Sequence, residues 1–402
     1  MNRLKDIFAV KYVRTSVLAV LALLAAVSVY AGVRNALLYS QDFQWDAAKA
    51  LCMRLDPYEL SLDPQRCETI PELNEFYKMY TDKGLSQKME ANQFPSLLFL
   101  LAPMTIFSPG PARIIWMILN LAFTAGIVVL LRRTFFAEVS DYGYAVGVLV
   151  TLAGTPYRNQ IGVGQHTLFA FFFFMLAVYL ERNMREHTVG KTVAISLCLF
   201  ISYFKYTLTA PLALYFLYRR RYKELVLSVA GHVVLTEISA IWLGRSFIYM
   251  IKAPLQVASA LVSEGGIDLG VFLPGTAALV AAAVIGLILA VIAFLLPEGN
   301  DEVLFSLLIL WSLILTYHRT YDFFVLSAVY MMFTGSRKNV PAGLWNTVHV
   351  YYLLLTASVY FVLRIFNENV PSKMGVAILY YLFAICVGIF SVRLIKEKSN
   401  GV

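Results

Sequence analysis

Residues 15–51 read TSVLAVLALLAAVSVYAGVRNALLYSQDFQWDAAKAL. Thr15 to Leu38 is apolar almost throughout and, at a rise of about 1.5 Å per residue, long enough to cross a bilayer. Arg3, Lys5, Lys11 and Arg14 precede it; basic residues mark cytoplasmic ends, so the chain emerges on the opposite side carrying Asp42 and Asp46. A helix over 42–51 would put these two carboxylates on one face, where their repulsion favours keeping one partly protonated. An amphipathic helix lying on lipid with its acids in water accounts for the same spacing.

The remaining chain extends this pattern. Of 402 residues, 59% are hydrophobic and 14% charged, which predicts an all-α polytopic membrane protein with no stretch left for a separate soluble domain. The net charge of +8 comes from Lys and Arg at the ends of apolar segments, where topology explains them and nucleic acid is not called for. The first apolar run is too long for a signal-peptide core and no small-residue cleavage site follows, so it is expected to remain as an anchor.

Residues 41–92 form the longest polar stretch, with Asp56-Pro57-Tyr58, Asp63-Pro64, Pro71 and Lys83-Gly84 as turn signals. Cys52 and Cys67 both fall in it, as a disulfide of an oxidising compartment or as two thiols. Cys198 and Cys386 lie in apolar runs and read as core residues. Phe94 to Phe107 is apolar but short and is bracketed by prolines, which reads as a re-entrant or juxtamembrane segment.

Arg132-Arg133 then belongs on the cytoplasmic side, so Ala112 to Leu131 enters from outside. Tyr142–Pro156 returns outward and Gln165–Leu180 comes back to Arg182 and Arg185. Two short segments within Lys191–Tyr218 meet near Tyr203–Thr207. Further crossings are expected at Leu225–Leu243, Val271–Leu296, Val303–Thr316, Phe323–Phe333, Leu344–Arg364 and Val376–Leu394. About twelve crossings result, with both termini cytoplasmic.

This topology collects Asp42, Asp46, Arg158, Asn159, Gln165, His166, Lys205, His318, Arg319 and Asp322 on the outer face. Ionisable residues at membrane depth are costly and usually face a cavity, so their convergence marks a candidate site. Arg158, Lys205 and Arg319 suit a phosphate. Arg158 and Lys205 equally suit snorkelling to lipid headgroups, and His318 a satisfied core histidine. No HExxH, paired CxxC, P-loop or GxSxG context occurs. No cofactor is called for; Asp42, Asp46 and His318 are the residues a divalent metal would use.

The order of several motifs resembles the GT-C class of integral-membrane glycosyltransferases, and most closely family 87, known for polyprenol-phosphate-mannose-dependent α-mannosyltransferases. The motifs are Asp42-Phe followed by Ala47-Ala48, then Leu55-Asp-Pro-Tyr58, Phe94-Pro95, Gly164-Gln165, Lys205, the Arg-rich run Tyr218–Tyr222, and His318-Arg319. The resemblance implies a GT-C-like fold of about twelve helices with juxtamembrane helices in its first outer loop. The protein would be one domain over 1–402. Residues 1–14 would be a cytoplasmic N-terminus, 39–110 the first extracytoplasmic loop, 111–243 a helical module of the family type, and 244–402 more variable helices.

The activity implied is inverting transfer of a sugar, mannose or another hexose or pentose, from a polyprenyl-phosphate donor to a lipid-linked or glycan acceptor. It would take place among the lipids of the inner (plasma) membrane, at its extracytoplasmic face. Asp42 matches the general base, with Asp46 beside it, and Lys205 matches the lysine on the lipid phosphate. Arg158, Arg319 and His318 would assist with the phosphate, and Gln165, His166, Asn159 and Asp322 with the substrates. Gly164-Gln-His-Thr167 departs from a common Gly-Gln-x-Asn, and Tyr-Thr-Leu follows Lys205 where a proline is usual. A secondary transporter would instead show inverted repeats and discontinuous midplane helices. A lipid-linked glycan ligase or polymerase would share the outer cavity and differ in its donor.

Overall fold

The computed structural model describes residues 2–40, 43–85, 87–183, 188–262, 267, 269–273, 276–295, 301–315, 318–335, 342–354 and 370–399. Asp42, Arg185, Tyr317, Arg337, Lys338 and Arg364, on which parts of the expected topology and site rest, lie outside the described residues.

The described residues are helical, with no strand among them. In chain order the helices are α1 (Asn2–Tyr39), α2 (Trp45–Cys52), α3 (Pro57–Leu62), α4 (Pro64–Glu68), α5 (Pro71–Thr81), α6 (Pro95–Leu101), α7 (Pro109–Thr134), α8 (Asp141–Ala153), α9 (Thr155–Val163) and α10 (Thr167–Asn183). There follow α11 (Val189–Ser202), α12 (Tyr206–Leu212), α13 (Leu214–Tyr218), α14 (Tyr222–Leu243), α15 (Phe247–Val262), α16 (Thr276–Leu295), α17 (Asp301–Leu315), α18 (Leu326–Gly335), α19 (Ala342–Leu353) and α20 (Val370–Ser399).

Five described helical stretches are long and apolar enough to cross a membrane: Lys11–Tyr39, Pro109–Thr134, Val189–Leu212, Tyr222–Leu243 and Met374–Arg393. Counted as one span, α9 and α10 make a sixth, bent by 108° at Gly164–His166. Shorter apolar helices lie at Pro95–Ile106, Asp141–Ala153, Thr276–Ile288 and Thr320–Met332. Large apolar side chains such as Leu23 and Tyr30 of α1, and Val226 and Ile241 of α14, are exposed, as lipid-facing residues are.

The chain forms two compact units that alternate along the sequence. One comprises Met1–Val33, Val128–Gln160 and Gly266–Val402, the other Arg34–Ile127 and Ile161–Gly265. In the first, Phe135 stacks on Phe305 at 4.8 Å between ring centres and Tyr330 on Tyr352 at 4.0 Å. Gly147 of α8 packs against Met331 of α18, where a Cβ would lie 3.1 Å from its Cγ.

The second unit contains the first loop, whose short helices begin where proline dictates. Pro57, Pro64, Pro71 and Pro95 each occupy a first helical position, where the missing N–H has no intrahelical partner to lose. The Asp56 carboxylate caps α3 by accepting from the Tyr58 and Glu59 N–H groups at 3.0 and 3.2 Å. These helices share an aromatic core: Trp45 stacks on Phe76 at 5.8 Å, and Phe76 meets Tyr77 and Tyr80 edge-on. The Trp45 indole N–H reaches the Met104 and Phe107 carbonyls, fastening α2 to the end of the Phe94–Phe107 segment.

Two expectations are corrected and one open alternative is decided. The helix over 42–51 begins only at Trp45, because Gln44 is left-handed (φ 59°) and its side-chain amide donates to the Glu90 carbonyl and to Asn92 Oδ1. The one-face argument for two repelling carboxylates therefore does not apply. The reversal near Tyr203–Thr207 is instead a 3-10 turn, Tyr203–Lys205, within the single 24-residue apolar stretch Val189–Leu212. Thr209 Oγ1 bridges that turn by donating to the Ser202 carbonyl at 2.7 Å. Cys52 and Cys67 are not bridged: the Cys67 thiol is buried and donates to the Leu60 carbonyl, and Thr105 Oγ1 approaches Cys52 Sγ.

Candidate active site

In the second unit, the loop that follows α1 is tied to the turn between α9 and α10. Ser40 Oγ donates to the Val163 carbonyl at 3.0 Å, and His166 Nε2 lies 3.1 Å from the Phe43 carbonyl. A carbonyl can only accept, so Nε2 carries the hydrogen. Gly164 holds the turn at φ +73°, a left-handed conformation that glycine adopts without penalty, and its carbonyl accepts from the Trp116 indole N–H at 2.8 Å. Trp116 stacks on Phe43 at 5.4 Å and faces the His166 ring at 5.3 Å. Phe204 also packs on the imidazole, at 4.4 Å, and the next residue, Lys205, lies within electrostatic range of His166. Gln165 turns its Oε1 back onto the His166 N–H.

Asp46 occupies the first turn of α2 in the same unit, where negative charge is favoured by the helix dipole. It is 4% exposed, accepting from the Ala47 N–H through Oδ1 and from the Tyr77 hydroxyl through Oδ2, each at 2.9 Å. Burial pushes its carboxyl up to about 6, against the smaller opposing pull of the Tyr77 and backbone hydrogen bonds. A carboxyl raised on folding stabilises the fold below its unfolded value and loses that contribution as pH rises through the folded value. Thermal unfolding of Asp46→Asn should therefore match wild type near the unfolded value of 3.8 and exceed it above about 6. The gap corresponds to at most ~3 kcal/mol at roughly 1.4 kcal/mol per pH unit. An Asp46→Asn protein less stable than wild type at every pH would mean that the bonds to the carboxylate outweigh its burial.

A separate cluster belongs to the first unit. His318 Nδ1 lies 2.8 Å from Asp322 Oδ2 and Nε2 3.1 Å from the Ser312 carbonyl, with both side chains essentially inaccessible. The pair is spaced four residues apart and spans the start of the 3-10 turn Thr320–Val325. Arg319 is exposed at the head of that turn and its carbonyl accepts from the Asp322 N–H. Asn159 Nδ2 donates to Thr320 Oγ1 at 3.3 Å, and the neighbouring Arg158 is half-buried.

The structure thus groups Gln165, His166 and Lys205 around one turn, with Asp46 in the loop attached to it, and places Asn159 beside the His318–Asp322 segment. Among the described residues no group of three or more His, Cys, Asp or Glu side chains is placed to hold a metal ion. Three contributors escaped the sequence reading. Trp116 lay within an apolar run, Tyr77 in a loop, and Glu181 at the end of an apolar segment. Glu181 explains the Arg-rich run: its buried Oε1 accepts from Arg221 Nη2 at 2.9 Å and Arg219 Nε at 3.4 Å.

A helical chain with five or six candidate spans and ionisable side chains grouped at its turns is a membrane protein with a candidate substrate site. A family model, Glycosyltransferase family 87, matches residues 95–318, and the chain belongs to that family. It is therefore a glycosyltransferase acting on a sugar donor and an acceptor. The matched stretch contains Arg158, Asn159, Gln165, His166 and Lys205 and ends at His318; Asp42 and Asp46 precede it. No curated protein and no solved structure matches the chain.

Proposed function

We propose that the protein transfers a sugar from a polyprenyl-phosphate carrier to a lipid-linked or glycan acceptor at the extracytoplasmic membrane face, through a GT-C-like arrangement of about twelve crossings. The observation that carries this reading is the tie between the loop after α1 and the Gly164–His166 turn, which Phe204 links to Lys205. Asp42 lies between the two tied residues, Ser40 and Phe43, in the sequence.

In the reaction, the acceptor oxygen bonds to C1 of the sugar as its proton passes to the Asp42 carboxylate. The C1–O bond to phosphate breaks with its electron pair on the departing lipid phosphate, and attack opposite that bond inverts the anomeric centre. Lys205 balances the phosphate charge. His318, whose ring nitrogens face Asp322 and Ser312, fixes the backbone next to Arg319.

The direct test is incubation of purified protein with a panel of labelled polyprenyl-phosphate sugars and membrane lipid extract. One donor should label a lipid or glycan product; no transfer from any would reject the donor class. Lys205→Ala should raise donor KM by roughly 10-fold to 100-fold, the equivalent of one charge-assisted hydrogen bond. Lys205→Arg should not restore it, because a planar guanidinium and a compact ammonium place charge differently. Lys252→Ala serves as control. Unchanged donor KM in Lys205→Ala would leave Lys205 as a headgroup anchor.

A further inference from the structure

The last carbonyls of a helix lack intrahelical partners and form its negative end. At the end of α1 these groups meet three side chains from the second unit. Arg113 Nη1 donates to the Leu37 carbonyl at 3.2 Å, Lys83 Nζ to that of Leu38, and the Tyr80 hydroxyl to that of Ser40. The Arg113 guanidinium lies over the Tyr80 ring, 5.1 Å from its centre, and the Lys83 ammonium 5.8 Å from the centre of the Tyr39 ring.

This exceeds what a helix cap requires. Capping a carbonyl takes one hydrogen bond, and a guanidinium offers five donors in a fixed fork. Arg113 is 4% exposed, and its buried Nη2 has no hydrogen-bond partner. Lys83 is exposed, and desolvation, then the charge of Arg113, hold its ammonium below the usual lysine range. Neither cation pairs with a carboxylate among the described residues. A buried guanidinium donor without an anion is expensive, and two cations within range of each other raise that expense. An anion accepting from Nη2 and from the Lys83 ammonium relieves both.

The position favours a lipid anion. Leu37 and Tyr39 are exposed apolar side chains at the end of the spanning helix, and such an end lies at headgroup depth. Arg113 and Trp116 lie three residues apart on α7 and so share its face, and Trp116 packs on the Gly164–His166 turn. We infer that Lys83 and Arg113 form a phosphate subsite, additional to Lys205, for a phosphate-bearing lipid substrate, with Lys83 at its entrance and Arg113 Nη2 at its floor. The role of that lipid as substrate rests on the function proposed above; the anion site itself does not.

The test uses full-length protein in phosphatidylcholine nanodiscs, with farnesyl phosphate as probe and farnesol and inorganic phosphate as comparators. Lys83→Ala, a change at an exposed side chain, should weaken farnesyl phosphate binding roughly 10-fold and leave farnesol binding unchanged. Arg113→Gln should weaken it at least as much, and Arg113→Lys should not restore it. Lys78→Ala, on the same loop, should bind as wild type. A matching rise in the KM of a polyprenyl-phosphate sugar assigns the subsite to the donor, and a rise in acceptor KM alone assigns it to the acceptor. Inorganic phosphate binding as tightly as farnesyl phosphate would overturn the lipid assignment. Wild-type farnesyl phosphate affinity in Lys83→Ala, or equal losses for farnesyl phosphate and farnesol, would overturn the subsite. If wild type transfers no sugar but Lys83→Ala still loses farnesyl phosphate, the subsite stands and the donor reading falls.

Discussion

An Asp42→Asn protein is expected to bind donor about as well as wild type and to lose transfer by ~10²-fold to 10⁴-fold, the contribution of a positioned general base. The amide keeps the size of the side chain and its hydrogen-bonding reach but cannot take the acceptor proton at neutral pH. Asp46 supplies the internal comparison. Its carboxyl is sealed in the loop core by the Tyr77 hydroxyl and its own helix N–H, so an acceptor hydroxyl reaches it only by displacing Tyr77. Asp46→Asn should therefore retain most of its transfer activity. Single-turnover assays with the identified donor would separate binding from chemistry. A dead Asp46→Asn beside an active Asp42→Asn would reverse the assignment of the base.

The second large effect is expected at Gly164. A Cβ there would be forced into a left-handed conformation, at about 1 kcal/mol relative to glycine. It would also collide with Ser40 Oγ and lie 3.6 Å from Trp116 Cδ1. Relief requires Ser40 to give up its bond to Val163, a further ~1 kcal/mol. Gly164→Ala should thus detach the loop after α1 from the α9–α10 turn and lower kcat by roughly 100-fold, as misplacement of reacting groups does. Its helical circular dichroism should stay close to wild type. Adding Ser40→Gly removes the collision and leaves the backbone strain, so the double variant should recover part of the loss. Full activity in Gly164→Ala would show that this tie does not position the reacting groups.

Local signals in the sequence were legible where one residue type has one physical consequence. Pro57, Pro64 and Pro71, read as turn signals, stand at helix starts, Pro95 opens an apolar segment as expected, and Gly164 before an apolar run marks a turn. The Arg-rich run at 218–222 was visible, but its partner Glu181 was not, since a lone glutamate closing an apolar segment reads as a topological mark. Arg113 was passed over because a cation near a span satisfies the charge rule, and Lys83 was read only as part of a turn with Gly84. The turn at Tyr203–Lys205 was read as a reversal because a polar Lys between apolar runs looks like a loop; Thr209 shows how the helix continues past it. Asp42 and Asp46 were grouped by a helical period that the left-handed Gln44 breaks.

The bond from Ser40 to Val163 joins residues 123 positions apart. At a synthesis rate of about 5–20 residues per second, the ribosome needs roughly 6 to 25 seconds to make the second partner after the first. During that interval α1 has entered the membrane while the loop after it does not yet have His166 to hold it, and an eight-residue helix such as α2 is marginal alone. The loop after α1 therefore matures well after its own synthesis, and nascent chains truncated before Gly164 should be anchored yet incompetent. For an enzyme working among membrane lipids, that order leaves the proposed base unpositioned until the turn between α9 and α10 has been made.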